Sequence, residues 1–138
     1  MTSNLRDDNY LISRLDHLWS TYFGDVTQTN KVFIKFGRSS KYRFGSIRLT
    51  PKDKSSRVII NGMFRDPKYP SEIIDHTIAH ELVHYTQGFS SPHPKMHAYP
   101  HRGGVIDKEL NARGLKHLVF IYNVWVVDYK RSLGIVTK

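Results

Sequence analysis

Near the start of the chain, apolar side chains recur at spacings typical of an amphipathic helix. Between residues 5 and 23 these positions are Leu11, Leu15, Leu18, Trp19 and Tyr22. The spacing places them on one helix face, and the glycine that follows at position 24 is a common helix terminator. We therefore predict an N-terminal helix over residues 5–23, with Trp19 and Tyr22 in the core.

The next part of the chain alternates apolar and polar residues, as β-strands do. Residues 31–37 and 41–50 follow this pattern, and residues 57–64 carry the apolar run Val58, Ile59 and Ile60 into Asn61-Gly62. The sequences Gly-Arg-Ser-Ser and Pro-Lys-Asp-Lys-Ser-Ser lie between these three strand candidates. Short turns of this composition usually join neighbouring antiparallel strands. We predict a small, mostly antiparallel three-stranded sheet with meander pairing, in which most basic side chains point away from the core.

A second helical pattern follows Pro70. Ser71 suits the N-cap position, and Glu72 lies where the helix dipole favours negative charge. The apolar positions of this helix are Ile73, Ile74, Ile78, Leu82 and Val83, before Gly88. These positions repeat with helical spacing, and glycine is a common residue at a helix end. The pattern predicts a helix from about residue 71 to residue 88.

The remainder of the chain contains a loop and further helical segments. Residues 89–100 form a polar stretch with three prolines, and residues 101–114 fit a short helix that ends at Gly114. The apolar residues from 115 onward fit either a helix or a strand, but their number favours a helix, and we assign the segment to the core. The sequence as a whole predicts an α+β fold with C-terminal helices.

Composition narrows the class of protein. The 138 residues suit one domain with one core. With no cysteine, the chain has no disulfide and no thiol nucleophile, so a bound metal must be held by His, Asp or Glu. No signal peptide and no apolar run of membrane-spanning length is evident. We therefore expect a cytoplasmic protein without a membrane partner, associated with the nucleoid or nucleus if it binds DNA.

The positive charge is concentrated in one segment. The net charge is +9, and residues 31–68 contain 11 Lys or Arg against 2 Asp, which accounts for the whole excess. A polyanion such as DNA is a candidate partner for such a segment. The residues predicted to contact it are Lys31, Lys35, Arg38, Lys41, Arg43 and Arg48. The alternative is a solvated strand face whose charge only aids solubility.

The sequence His80-Glu81-Leu82-Val83-His84 lies within the second predicted helix. Residues four apart share a helix face, so the two imidazoles are placed to bind one metal ion, while Glu81 is placed to transfer a proton. The alternative is an amphipathic helix with two polar histidines. His76 lies on the same face one turn earlier, but three ligands in a row cannot surround an ion. We assign His76 a supporting or ordinary polar contact.

A catalytic zinc site usually has a third protein ligand. The candidates after His84 are His93, His97, His101 and Glu109. The metzincin spacing is excluded because the chain has Gln87 and Ser90 where that pattern needs Gly and His. We favour His101 because it lies where the long loop meets a helix start. Glu109 is the alternative ligand, although it also has the spacing for a helical ion pair with Arg113.

Three stretches resemble one known family. The sequences FGSIRLTPKDKSSRVIINGMF, PSEIIDHTIAHELVHYTQGF and PHRGGVIDKEL are similar to the SprT-like metalloprotease domain, which includes the bacterial SprT proteins and the Spartan proteases of DNA–protein crosslinks. The resemblance covers residues 31–113. It implies a zincin-like fold with an HExxH active-site helix, the zinc ligands His80, His84 and His101, and Glu81 as the catalytic acid/base. The related minigluzincins, of similar size, would use Glu109 as the third ligand.

These observations predict a Zn²⁺-dependent endopeptidase acting on proteins or peptides, including those bound or crosslinked to DNA. Tyr99, Arg102, His97 and Tyr85 are the candidates for stabilising the oxyanion. By the resemblance, strand 57–62 would align an extended substrate. The alternative function is a nucleic-acid-binding module with a structural, non-catalytic metal site. A third possibility is a catalytically silent scaffold whose zinc has four protein ligands, with His93 or His97 completing them. The apolar segment after Leu115 is a candidate to cover the cleft in a latent form.

Overall fold

The computed structural model describes residues 4–97, 101 and 104–134, which contain four α-helices and three strands. In chain order these are α1 (Asp8–Tyr22), β1 (Val32–Phe36), β2 (Gly45–Leu49), β3 (Ser56–Ile60), α2 (Ser71–Thr86), α3 (Val105–Ala112) and α4 (Lys116–Ser132). A short 3₁₀ helix, Gly62–Arg65, follows β3. The α+β class, the N-terminal helix, the small sheet and the C-terminal helices are confirmed. No described helix has the combination of length and apolar character needed to cross a bilayer.

The strand order differs from the predicted meander. The order is β1-β3-β2, with β1 parallel to β3 and β2 antiparallel to it, so the sheet is mixed rather than mostly antiparallel. The prediction that strand 57–62 forms a substrate-binding edge is also wrong, because β3 has a neighbour on both sides. Among the described strands, β1 and β2 are the edges.

Buried Asn61 stabilises the loop that this order requires. Its side-chain Nδ2 donates to the carbonyls of Ser40 (2.6 Å) and Arg43 (2.8 Å), and its Oδ1 accepts from the backbone N–H of Ser40 (3.1 Å). These bonds hold the β1–β2 loop across the end of β3. This loop crosses the end of β3 in space. Strand β2 therefore pairs with the edge of β3 opposite to β1. Alternation of apolar and polar residues does not specify such a crossing.

The two faces of the sheet differ in chemistry. Ile34, Val58 and Ile47 are cross-strand neighbours on the face towards the helices. On the opposite face, which we call the outer face, two cross-strand rows are exposed or half-buried. One row is Phe33, Arg57 and Arg48, and the other is Lys35, Ile59 and Ser46. The predicted outward direction of the strand cations is confirmed for Lys35 and Arg48.

Helix α2 is the most buried helix and packs against β2, β3 and the other three helices. Its apolar side chains Ile73, Ile74, Ile78, Leu82 and Val83 are at most 2% exposed. The N-cap is Pro70 rather than Ser71, because the Pro70 carbonyl accepts the first helical bond from Ile73 N–H (3.1 Å). The predicted end is confirmed: Gly88 adopts φ +84°, and an added Cβ would lie 2.3 Å from the Pro94 carbonyl oxygen.

The last segment is helical, as its length indicates, but only part of it lies in the core. Leu118 and Val119 of α4 are buried, whereas Phe120 and Val124 are 68% and 54% exposed. A helix that packs with one face against a domain leaves the opposite face in solvent. The prediction that the whole apolar segment is core is therefore wrong for these two residues.

Candidate metal centre

His80 and His84 present their imidazoles side by side from consecutive turns of α2. Their Nε2 atoms lie 3.1 Å apart, and their ring centroids are 4.8 Å apart. His84 is buried and His80 is half-buried. The arrangement follows from helical geometry, because side chains four residues apart stack on the same face.

His101 reaches the same point from another part of the chain. Its Nε2 lies 3.1 Å from that of His84 and 3.3 Å from that of His80. It precedes α3, which is anchored by the buried side chains of Ile106 and Leu110. These three histidines are the one group of possible metal ligands of this size among residues 4–97, 101 and 104–134. Their predicted clustering is confirmed.

The spacing of the three nitrogens fits a single ion. Nitrogens bound about 2.0–2.1 Å from a tetrahedral zinc lie about 3.3–3.4 Å from one another. The observed separations of 3.1, 3.1 and 3.3 Å are close to this value. Three protein ligands leave one tetrahedral position for solvent or substrate.

Hydrogen bonds between the imidazoles cannot account for this triangle. In a neutral imidazole each ring nitrogen is either a donor or an acceptor. Three nitrogens in mutual contact must therefore include at least two with the same role, and that pair repels. A cation at the centre satisfies all three nitrogens as acceptors. The three imidazole nitrogens are therefore suited to bind a metal ion.

His80 and His84 are in the neutral form that metal ligation requires. Burial lowers the pKa of His80 to about 3, with smaller contributions from His84, His76 and His101, and burial also lowers the pKa of His84 to about 4. Both imidazoles are therefore neutral at physiological pH. Metal ligation needs this neutral form. Their nitrogen lone pairs are available to an ion without prior loss of a proton.

Glu81 lies beside the histidines but is not one of the three clustered ligands. Its side chain is 5% exposed and lines two adjoining cavities of about 360 and 240 Å³. The larger cavity is also lined by all three histidines, and the smaller by His80 alone among them. Burial raises the pKa of Glu81 to about 7, although Arg43 opposes the shift. The carboxyl group thus lies at the boundary of both cavities.

Strand β2 forms the wall opposite the histidines. An added Cβ at Gly45 would lie 2.6 Å from Thr77 Cγ2 and 3.5 Å from Glu81 Oε2, so the strand passes directly over α2 at this point. Gly45 and Arg43 line both cavities, and sequence reasoning missed both as cleft residues. A glycine inside a strand pattern often marks such a close approach, and was the available signal.

The backbone of β2 presents Gly45 and Ile47 towards the larger cavity. The Phe44 carbonyl accepts from Asn61 N–H, and Thr50 N–H donates to Ser55, so the even-numbered residues face β3. Alternate residues of a strand direct their backbone groups to opposite sides. Gly45 and Ile47 therefore point away from β3. On that side the Ile47 carbonyl accepts from Ser90 Oγ at 3.1 Å.

His76, predicted to make a supporting or ordinary polar contact, and Glu109, the alternative third ligand, both lie outside the metal cluster. His76 is buried, stacks on Tyr122 with ring centroids 4.0 Å apart, and has no hydrogen-bond partner for Nε2 among the described residues. Burial lowers its pKa to about 4. Glu109 accepts from Gln87 Nε2 (2.8 Å) and from Arg113 Nε (3.0 Å). Its expected pair with Arg113 therefore forms, and the carboxylate is not in the metal cluster.

The remaining loop and oxyanion candidates divide into three groups. His93 Nε2 lies 2.7 Å from the Thr27 carbonyl, and His97 is described but does not belong to the histidine cluster. Tyr85 is fully buried and its hydroxyl donates to Asn30 Oδ1 (2.7 Å), so its assignment as an oxyanion donor is wrong. Tyr99 and Arg102 lie outside the described residues.

The basic residues predicted to contact nucleic acid are all exposed. They are Lys31, Lys35, Arg38, Lys41, Arg43 and Arg48. Lys35 and Arg48 lie on the outer face of the sheet, while Arg38, Lys41 and Arg43 belong to the loop between β1 and β2. Lys31 directly precedes β1.

Comparison of the chain with protein-family models, with curated proteins and with solved structures finds no match. Inference about function therefore depends on the geometry of the site and on the motifs within the sequence.

Proposed function

We propose that this chain is a zinc-dependent metallopeptidase of the SprT-like type, with a zincin-like arrangement in which α2 carries the HExxH motif. The observation that supports it best is the triangle of imidazole nitrogens, 3.1–3.3 Å apart, with the Glu81 carboxyl beside it in the same cavity. When bound, zinc supplies a Lewis acid that polarises a carbonyl and lowers the pKa of water towards about 7.

The ligand set favours a catalytic site over a structural one. Structural zinc sites usually have four protein ligands, whereas catalytic sites have three. The described cluster contains three, and the residues outside the described ranges include no His, Asp, Glu or Cys. A catalytically silent scaffold with four protein ligands would need His93 or His97 as the fourth. His93 is held at the Thr27 carbonyl instead.

Glu81 is proposed as the catalytic acid/base. Its carboxylate takes a proton from the attacking water as the new carbon–oxygen bond forms at the scissile carbonyl. The same proton then passes to the amide nitrogen as the carbon–nitrogen bond breaks, which yields a free amine and a carboxylic acid. The acid then releases its remaining proton to solvent and becomes a carboxylate. General acid–base transfer of this kind contributes typically about 10²–10⁴-fold to the rate.

The β2 edge is proposed to align the substrate. The backbone groups of Gly45 and the N–H of Ile47 face the cavity that contains the three histidines, while the Ile47 carbonyl already accepts from Ser90 Oγ. An extended peptide can pair with these free groups as an added strand. Main-chain pairing gives affinity with little dependence on side chains, which suits a protease acting on varied, unfolded segments. Arg43 is the cation at this position, and we assign it to stabilising negative charge on the substrate carbonyl oxygen.

The SprT-like resemblance adds proteins bound or crosslinked to DNA as candidate substrates. The exposed cations of residues 31–48 provide positive charge for such a substrate. This part of the proposal can fail while the peptidase proposal holds, since casein-like substrates carry no DNA.

The test is Glu81→Gln, which keeps the shape of the side chain and removes its proton affinity. We expect cleavage of an unfolded protein such as casein to fall by at least about 100-fold, with zinc still bound at one ion per chain. Glu72→Gln is the matched control, because Glu72 is exposed in the first turn of the same helix. Wild-type cleavage by Glu81→Gln would exclude the enzyme assignment.

A further inference from the structure

The outer face of the sheet lies away from the helices and carries positive charge. Phe33, Arg57 and Arg48 form one cross-strand row, and Lys35, Ile59 and Ser46 form the next. The three strands contain no Asp or Glu at any position. The nearby Asp53 forms an ion pair with Arg57 (3.0 Å), but both side chains are about half exposed. Within the part of the chain that the structure describes, neither Lys35 nor Arg48 belongs to an ion pair.

An aromatic ring is exposed among these basic side chains of the outer face. Phe33 is 46% exposed although it lies within a strand, and the Arg57 guanidinium is 5.0 Å from its ring centroid. The guanidinium covers part of the ring, and the remainder is open to solvent. Together with Lys35 and Ile59, Phe33 lines a shallow cavity of about 190 Å³. This is smaller than the about 300–1,000 Å³ of typical small-molecule sites, and suits a single ring system.

The basic surface extends beyond the strands. A second cavity, of about 140 Å³, is lined by Ile59 and Ser46 of the outer face and by Arg38 and Arg43 of the β1–β2 loop. Cations therefore continue from the centre of the outer face to the loop. Arg43 also lines both cavities beside Glu81, so this surface adjoins the candidate metal centre.

We propose that the outer face binds single-stranded nucleic acid, with one base stacked on Phe33 in the slot beside Ile59 and phosphates contacted by Lys35, Arg48 and Arg57. Charge complementarity selects a polyanion. The exposed ring selects unpaired bases, because the bases of a duplex are stacked on one another and cannot cover a side chain on a flat sheet. The proposal is independent of the peptidase proposal, since none of these side chains belongs to the metal centre.

Stacking and charge make separable contributions to binding. Each phosphate contact to a single strand contributes about −0.7 to the slope of log K against log salt concentration. Loss of one arginine should therefore reduce that slope by about 0.7. Loss of the ring should weaken binding about tenfold to a hundredfold at every salt concentration, with no change of slope, because Phe33 carries no charge.

The experiment measures fluorescence anisotropy of a labelled oligothymidylate of about twelve nucleotides between about 50 and 200 mM salt. The variants are Phe33→Ala, Phe33→Trp and Arg48→Ala, and Lys116→Ala removes one exposed charge from α4 as the matched control. We expect Phe33→Ala to weaken binding, Phe33→Trp to retain or strengthen it, and Lys116→Ala to leave it within about twofold of wild type. All proteins are also measured with a chelator, which should leave the affinity for the oligonucleotide unchanged.

Three outcomes would overturn the proposal. Unchanged binding in Phe33→Ala would remove the stacking site, and equal weakening by Arg48→Ala and Lys116→Ala would reduce the interaction to net charge. Binding to phosphatidylserine vesicles but not to the oligonucleotide would assign the face to an anionic lipid surface. Thermal melting of each variant verifies folding, and the exposure of Phe33 and Arg48 makes loss of the fold unexpected.

Discussion

His84 Nε2 lies 3.1 Å from His101 Nε2, across seventeen positions of sequence. One of these residues belongs to the most buried helix, while the other is exposed in the segment before α3. An ion held between them therefore links two parts of the chain that the backbone alone joins only through a long loop. Metal binding and stability should be coupled at this point.

Removal of the metal should lower the thermal stability of the protein. A ligand at about 100 times its dissociation constant stabilises a folded chain by about 2.7 kcal/mol, which corresponds to a shift in Tm of several degrees for a domain of this size. We expect the Tm to fall by that amount with a chelator and to recover with added zinc. Scanning calorimetry of the same sample in the two conditions measures the shift.

The control for this prediction is His101→Ala. Its Tm should be close to that of the chelated wild type and should respond weakly to zinc, because two ligands remain where three are needed. A wild-type Tm that is the same with chelator and with zinc would contradict a stoichiometric metal site.

Loss of Glu109 should affect stability rather than metal content. Its carboxylate bridges Arg113 and the side chain of Gln87, which is 1% exposed. Glu109→Ala leaves the Gln87 amide without this acceptor, and an unsatisfied buried polar group costs about 1–3 kcal/mol. We expect zinc to stay at one ion per chain while the free energy of unfolding in urea falls by that amount. Zinc lost from Glu109→Ala but retained by His101→Ala would make Glu109 the third ligand.

The parts of this structure that follow from local geometry could be predicted from the sequence. The helix containing His80, Glu81 and His84 is one of them, because its periodicity and its terminal Gly88 are local signals. His101 was identified from its place at the junction of a loop and a helix. The three histidines cluster if the residues at this junction pack against α2.

What the sequence did not predict depends on contacts between distant residues. The strand order is stabilised by hydrogen bonds from Asn61 to the β1–β2 loop. A single polar residue after a strand does not indicate in the sequence that such bonds form. The burial of Tyr85 against Asn30 has the same origin. The position of Gly45 over Glu81 depends in turn on the strand order. Because that order was predicted wrongly, Gly45 was not recognised as part of the candidate site.

Asp53 should titrate well below the usual range of an aspartate. Its carboxylate accepts from the Ser55 hydroxyl (2.7 Å), from Ser55 N–H (3.1 Å) and from Arg57 (3.0 Å), and these bonds lower its pKa to about 2, with the Ser55 hydroxyl as the largest cause. Because the folded pKa is lower than the ordinary aspartate value of 3.8, the associated stability is present above about pH 4 and is lost as the pH falls through about 2. NMR titration of the side-chain carboxyl carbon measures the pKa directly.

Two variants separate the causes of this shift. Ser55→Ala should raise the pKa of Asp53 more than Arg57→Ala does, because the hydroxyl bond is the larger cause. A larger shift in Arg57→Ala would instead make the ion pair dominant. Arg57 would then be held in place by Asp53 rather than available to other anions on the outer face.

The contact between Gly45 and Thr77 should determine whether β2 can lie beside Glu81. An added Cβ at position 45 would lie 2.6 Å from Thr77 Cγ2, which is closer than packed carbon atoms approach. Gly45→Ala should therefore destabilise the fold by about 1–3 kcal/mol and displace the strand from the helix, with a matching loss of peptidase activity. Urea unfolding and casein cleavage measure the two effects.

The chain offers a specific rescue for this variant. Thr77→Ser removes the Cγ2 methyl group and keeps a hydroxyl, so the bond from the residue 77 side chain to the Ile73 carbonyl can remain. In the double variant Gly45→Ala with Thr77→Ser, stability and activity should recover beyond the sum of the single effects, because residues in contact are coupled. Additive losses would mean that the alanine acts through the backbone freedom of the strand. In that case the close approach of β2 to α2 would not be what aligns the edge strand with Glu81.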